Sequence, residues 1–447
     1  MRTWMINNEI LFWLAWVILP LIVEIIPSVC NFFLLMIKYF RRKKVEDPIL
    51  FPEITIIIPV YNSADTLRKC LESIHLSNYD NRLITVFLVD NGSKDNSFEI
   101  FERCQMEYSD LTMQWMVSNQ GKSKALNKAL FNSRGKYIIN VDSDGRFEEN
   151  AIRNIVKRFE KEMNVNSFTG VILTEHTEVE ETEGFWLRQI RRLEYLEYCQ
   201  AFLAGRNFSS EINGLYTLSG AFSAFRKSTI LQTQMYNSDT ICEDTHITFQ
   251  IKRQKKRIEL CEDAIFYVSP IDDMNKLYTQ RQRWQIGELE VFKMFYGKKM
   301  QFHKIFTDID FRVILFDHTF AFPRLIWYFA LVALSMLNYS LRTVLIALLL
   351  IYVLYVICTM LYFINVIMFL KDFKDDRKYY ISKFLYVVVY PLYNLYTFVL
   401  RFMGIINSIN RQSSWKTFHF KEECEIVKNI VKKDFHIKKE NKNERNL

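Results

Sequence analysis

Two carboxylates stand two residues apart in Asp142-Ser143-Asp144-Gly145, directly after the apolar run Tyr137-Ile-Ile-Asn-Val141. On the turn after a buried strand, such a pair can share a hard divalent cation. Mg²⁺ or Mn²⁺ suits oxygen ligands and would bridge the diphosphate of a nucleotide, neutralising charge on a departing nucleoside diphosphate. Asp-Ser-Asp-Gly is also a good turn, and taken alone the run favours that reading.

Other residues could join the pair. Asp90-Asn-Gly-Ser93 closes an earlier apolar run. It is either a turn or a carboxylate that accepts the ring N–H of uracil, which would select UDP donors. Gly121-Lys122-Ser-Lys-Ala-Leu-Asn127 fails as a Walker A loop, because position 116 is Met where that loop needs Gly. A basic turn at a helix start still binds phosphate, with Lys122 as the cation. In Ile241-Cys-Glu-Asp-Thr-His-Ile247, an acidic residue is either a helix N-cap or a general base for an acceptor hydroxyl. His246 has no neighbouring His or Cys and reads as an ordinary helix residue. Gln280, Arg283 and Trp284 lie at i, i+3 and i+4, one helical face. Arg283 offers bidentate donors to phosphate and Trp284 a flat face to a sugar ring, although an amphipathic helix at a membrane surface reads the same way.

These groups need strands that end where they begin. Residues 54–59, 83–89, 113–117 and 137–141 read as strands, with helices at 64–76, after Asp90, and from a loop at 121–130. The alternation predicts a Rossmann-like α/β domain with a mostly parallel sheet and ligands at the carboxyl ends of its strands. Glycine is scarce, at 12 residues, and sits at the expected loops: Gly92, Gly121, Gly135, Gly145 and Gly220.

Half of the 447 residues are hydrophobic and 15% aromatic, which excludes disorder for most of the chain. Apolar runs at 10–40, 320–338, 343–370 and 381–406 approach the roughly 20 residues that a membrane-crossing helix requires. Lys38, Arg41, Arg42, Lys43 and Lys44 follow the first run and only Arg2 precedes it, so the positive-inside rule places the next domain in the cytosol. The expected organisation is an anchor at 1–44, bent near Pro20 or Pro27, and a cytosolic catalytic domain at 45–275. Interfacial helices follow at 276–319, about three membrane helices at 320–406, and a charged tail at 407–447. A cytosolic loop is expected at 371–378, and 381–406, broken by Pro391, is either a crossing or a re-entrant segment. The net charge of +8 is thinly spread, which argues against a nucleic-acid surface and suits an anionic membrane. Eight cysteines without a Cys-x-x-Cys pair give neither a zinc site nor a disulfide framework.

Taken in order, the motifs from Ile54 to Trp284 resemble the family-two glycosyltransferases, specifically the processive synthases of cellulose, chitin, hyaluronan and poly-N-acetylglucosamine. The resemblance covers over half the chain and implies a GT-A type domain in the plasma membrane. It implies inverting transfer from a UDP-sugar, UDP-N-acetylglucosamine first, to a glycan or lipid-linked acceptor. Asp90, Lys122, Asp142 and Arg283 would then hold the donor, and Asp144 with Asp142 the Mg²⁺ or Mn²⁺. Asp244 would be the base, with Glu243, Gln280 and Trp284 on the acceptor side. Residues 218–226 are similar to an acceptor-side loop. Asn91 stands where many members have Asp, Cys242 where Thr is common, and Ser269-Pro270 lacks the usual Glu two residues before the Pro. Expected partners are the donor, the acceptor, membrane lipids and accessory membrane subunits. Two alternatives stay open: single-sugar transfer to a lipid carrier, and a non-catalytic scaffold or export subunit.

Overall fold

The computed structural model of the protein describes residues 25–42, 45–297 and 341–410, with isolated positions between the last two stretches. Pro20, Lys43, Lys44, the apolar segment 320–338, most of 298–319 and the tail beyond 410 lie outside the described residues. Among the described residues, one sheet contains β1 (Ile54–Val60), β2 (Ile84–Asp90), β3 (Thr112–Val117) and β4 (Tyr137–Val141). It continues with β5 (Gly145–Phe147), β6 (Val165–Thr174), β7 (Phe222–Arg226) and β8 (Arg257–Val268). The order is β3-β2-β1-β4-β7-β6-β8-β5.

β1 to β4 run parallel, as expected from the alternation. Every residue of β4 and all but one of β1 are buried, which is why these strands read as continuous apolar runs. Beyond β4 the expectation of a mostly parallel sheet fails. β7 lies antiparallel to β4 and β6, and β5 antiparallel to β8, so the sheet is mixed. The expected acceptor-side loop at 218–226 is thus largely the strand β7.

Helices cover both faces. α1 (Ile26–Arg41) comes first, with Pro27 in its first turn, where proline is tolerated, rather than at a bend. α2 (Leu67–His75), α3 (Ser97–Glu107), α4 (Lys122–Asn132) and α5 (Ala151–Lys161) follow. α2, α3 and α5 pack with Ile56 and Ile58 on one face, while α4 packs with Ile57 on the other, as the period of two requires. α5 buries Ala151, Ile152, Ile155, Val156 and Phe159, the stripe of an amphipathic helix.

α6 (Phe185–Tyr198) runs into a π-helical turn, Cys199–Gly205, and then α7 (Arg206–Glu211). α8 (Glu243–Arg253) and α9 (Met274–Tyr296) carry the downstream motifs. The later part contains α10 (Leu341–Phe369), α11 (Lys374–Ser382) and α12 (Tyr386–Asn410). α1, α6, α10, α11 and α12 form a third core with Val171 and Leu173 of β6 and Ile265 of β8.

α10 and the turn after it contribute an apolar span, Val344–Asp372, of 29 residues, long enough to cross a bilayer. Leu345, Leu349 and Val353 are exposed along one side of it, an apolar face of the kind that needs lipid or a partner. α11 and α12 meet at 87°, at 383–385. The break expected at Pro391 is therefore displaced; Pro391 sits inside α12. The loop expected at 371–378 is also corrected, being mostly α11. Asp376 explains why this polar run docks: its carboxylate accepts from Tyr267 Oη at 2.6 Å and Tyr195 Oη at 3.2 Å.

One buried carboxylate ties α1 to the domain. Glu262 is 1% exposed and meets Arg158 at 2.6 Å, Arg42 at 3.6 Å and Lys38 at 3.7 Å. Burial pushes its pKa up, but Lys38, Arg158 and Arg42 outweigh this and hold it at about 2. Removing one member of a buried ion cluster leaves the others uncompensated, so Glu262→Ala is expected to cost about 3 kcal/mol. Thermal unfolding in detergent reads this as a lowered midpoint; an unchanged midpoint would refute the tie.

Candidate active site

Asp142 and Asp144 occupy the turn between β4 and β5, so the turn reading and the carboxylate reading hold together. The turn is pinned from below by Ser143 Oγ and Ser63 Oγ, 2.7 Å apart. Gly145 must follow, because a Cβ there would lie 2.3 Å from the Phe266 ring and 2.5 Å from the Tyr267 carbonyl on β8.

The antiparallel strand β7 brings in a further carboxylate, Asp244. Val141 pairs with Phe222, and the Asp142 N–H donates to the Ala221 carbonyl at 3.3 Å. The next residue back, Gly220, donates its N–H to Asp244 Oδ2 at 3.1 Å, while Thr245 N–H donates to Oδ1 at 2.7 Å. A Cβ on Gly220 would press to 3.2 Å from that carboxylate. Asp244 is in the first turn of α8, but Cys242 holds the N-cap position, so the N-cap reading of the acids fails, and Asp244 lines the cavity. Burial and the neighbouring Glu243 charge push its pKa up to about 6, against the pull of Lys122.

Lys122 sits between the two acidic groups, 2.6 Å from Asp142 Oδ1 and 3.2 Å from Glu243 Oε1. Burial works against its charge, but Asp142 and Glu243 prevail and keep the ammonium protonated well above the usual lysine range. Glu243 is buried at 6% exposure. Asp144 is exposed on the turn and lines the cavity, where the surrounding protein thins its solvation. That desolvation and the Asp142 charge push its pKa up to about 6. Among the described residues, no three His, Cys, Asp or Glu are grouped to hold a metal ion. The chain therefore offers a two-carboxylate anchor, which fits a cation that draws its other ligands from a diphosphate and water.

Pairing of Gly145 with Val268 also sets where β8 ends and α9 begins. Asp273 caps α9, accepting from Lys276 N–H at 2.7 Å. Gln280, Arg283 and Trp284 face one cavity together with Lys122, Asp142, Asp144, Glu243 and Asp244. Its volume is about 1040 Å³. Asp90 does not line it. Its Oδ1 accepts Ser93 N–H at 2.8 Å, the turn geometry, and it stands at the carboxyl end of β2, two strands from β4. His246 pairs with Gln250 at 2.9 Å within α8, an ordinary helix residue as expected.

Sequence reasoning missed three charged residues here. Arg281, fully buried, pairs with Glu197 at 2.7 Å and lies over the Trp284 ring at 4.4 Å. Arg206 lines the cavity, its guanidinium over the Phe202 ring at 4.5 Å, and makes no ion pair among the described residues. Arg281 falls within the motif at 280–284; Glu197 and Arg206 carried no local signal.

Residues 55–228 match the model of the family described as Glycosyl transferase family 2. Poly-β-1,6-N-acetyl-D-glucosamine synthase of Staphylococcus aureus (strain MSSA476) is 24% identical over 268 residues, 60% of this chain and 62% of that protein. The synthase of the same name from Staphylococcus epidermidis is 23% identical over 238 residues, 53% of this chain and 55% of that one. The match thus spans less than two thirds of these relatives. A solved mannosyltransferase from Pyrobaculum calidifontis, in complex with GDP-Man and Mn²⁺, aligns with a TM-score of 0.56. That alignment covers 83% of this chain and 98% of the other at 16% identity, a likeness of fold.

Proposed function

We propose, from the match of residues 55–228 to the Glycosyl transferase family 2 model, that the chain is a membrane-embedded synthase. It moves a sugar from a UDP-sugar, UDP-N-acetylglucosamine first, to a growing polysaccharide. One observation carries this reading. The cavity that holds Asp142, Asp144, Asp244, Gln280, Arg283 and Trp284 continues along α1, α10 and α12, where Asn31, Thr359 and Asn394 line it. A single space thus joins the transfer centre to the apolar helices through which a product could leave. The names of the curated relatives favour N-acetylglucosamine.

In this reading, Asp90 keeps Oδ2 for the uracil N–H, and Arg283 holds the diphosphate. Asp142 and Asp144 would hold Mg²⁺ or Mn²⁺, which would supply charge neutralisation on the leaving group. Asp244 takes the proton of the acceptor hydroxyl as its oxygen bonds to the anomeric carbon. The bond from that carbon to the diphosphate oxygen breaks, and UDP leaves from the opposite face. An α-linked donor therefore gives a β-linkage. Trp284 stacks on the acceptor sugar, with Gln280 and Glu243 beside it. Lys122, bonded to Asp142 and Glu243, balances both acids before the donor arrives.

A second reading rests on Arg206. A guanidinium without an ion pair among the described residues, in the cavity with Asp244, suits the phosphate of a lipid-linked acceptor. One experiment separates the two. Purified chain with a panel of UDP-sugars is expected to release UDP from one of them, only with a divalent cation, and to yield a polymer. Single-sugar products would remove processivity, and no UDP from any donor would leave the scaffold reading.

A further inference from the structure

An amide on α1 is buried without a partner. Asn31 is 2% exposed, and among the described residues neither its Nδ2 nor its Oδ1 makes a hydrogen bond. It stands in an apolar helix, between Cys30 and Phe32-Phe33-Leu34-Leu35. A polar group in such a place destabilises the fold unless something pairs with it when the protein works. Asn31 lines the cavity of the transfer centre, and so does Ser28, three residues earlier on the same helical face. Thr359 of α10 and Asn394 and Thr397 of α12 line it as well. The two threonine hydroxyls donate to their own helices and offer only acceptor capacity, while the amides donate and accept, a neutral lining that suits a hydroxylated, uncharged ligand.

We propose that Asn31 is a product-side sugar-binding site, which holds a unit of the glycan after it has left the transfer centre. The inference rests on the glycosyl-transfer reading above and adds a residue and a ligand group to it. A carboxamide presents one N–H face and one C=O face. An acetamido substituent presents the complementary pair, so a single N-acetylated unit satisfies both orphaned atoms. Lone sugar hydroxyls satisfy them less well, because two must be correctly spaced. The site would hold the chain between additions and so set how far it grows, without touching the reacting atoms.

The test compares wild type with Asn31→Leu and Asn31→Gln, using UDP-N-acetylglucosamine and a short N-acetylglucosamine oligosaccharide as primer. Leucine matches the shape and removes an unpaired polar group, so the thermal midpoint is expected to hold or rise. Initial UDP release is expected to be unchanged, while mean product length falls roughly 3- to 10-fold, the worth of one or two neutral hydrogen bonds. Asn31→Gln keeps the amide and is expected to recover part of that length. Unchanged product length in Asn31→Leu would overturn the inference. So would a lower midpoint with parallel loss of UDP release, which marks a structural residue. Wild-type chain that releases no UDP would defeat the transfer reading itself, a distinct result.

Discussion

Asp244→Asn is expected to lower sugar transfer by about 10²- to 10⁴-fold, the usual worth of a positioned general base. The substitution is nearly isosteric. Gly220 N–H and Thr245 N–H bond separate oxygens, so the amide keeps one of these bonds and loses the other, and the thermal midpoint reads whether the α8 terminus keeps its shape. Donor affinity is expected to hold, because Asp142, Asp144 and Arg283 are untouched. The wild-type pH profile carries the same information. Asp244 is active as the carboxylate, and its pKa is pushed up to about 6. The rate should therefore rise with pH and level off above about 6. Below that value it should fall about tenfold per unit, as the proton returns to the base. At saturating Mn²⁺, which keeps Asp144 ionised, this limb should vanish from the residual rate of Asp244→Asn. A variant that keeps a large share of transfer, with the acid limb intact, would place the base elsewhere.

Asp144→Asn is expected to reduce turnover by about 10³-fold, since a bound cation contributes several kcal/mol to a leaving diphosphate. Asp142 already spends one oxygen on Lys122, so Asp144 is the carboxylate open to the cavity. A cation titration separates this loss from that of Asp244→Asn. Half-saturation by Mn²⁺ should move to much higher concentration in Asp144→Asn and stay put in Asp244→Asn. The two acids repel one another without a cation, so the metal-free variant is expected to unfold no earlier than wild type. Unaltered Mn²⁺ dependence would remove Asp144 from the metal site.

The parallel half of the sheet was legible because β1, β2 and β4 are buried on both faces, with β3 a more exposed edge strand. Residues 54–59, 83–89, 113–117 and 137–141 carry runs of branched and aromatic residues between turns, and each is a strand within a residue or two. The Gln280, Arg283 and Trp284 face was legible too, because helical periodicity is local. Residues 218–226 were not. A five-residue strand carries no mark of its direction, and β7 becomes antiparallel only because β4 and β6 accept it between them. Residues 371–378 look like a solvated loop by composition, and only Tyr195 and Tyr267 on other elements make Asp376 a buried anchor.

The sequence alone determined the chemical inventory: a carboxylate pair after a strand, an acid at a helix start, and Gln-x-x-Arg-Trp on one helical face. Each depends on neighbours within a few residues, and such patterns survive without knowledge of the fold. Tertiary structure decided which of them meet. Asp244 comes beside the Asp142 turn because β7 follows β4, with Ala221 bonding Asp142 and its neighbour Gly220 bonding Asp244. Lys122 bridges Asp142 and Glu243 across more than a hundred positions of sequence. Asp90, read as part of the same constellation, stands two strands away with one oxygen held in its own turn. Strand order and direction come from the packing of the whole sheet, and no short stretch of residues encodes them. For the Asp142–Asp144 pair, this packing turned two acids on a good turn into one wall of a closed cavity.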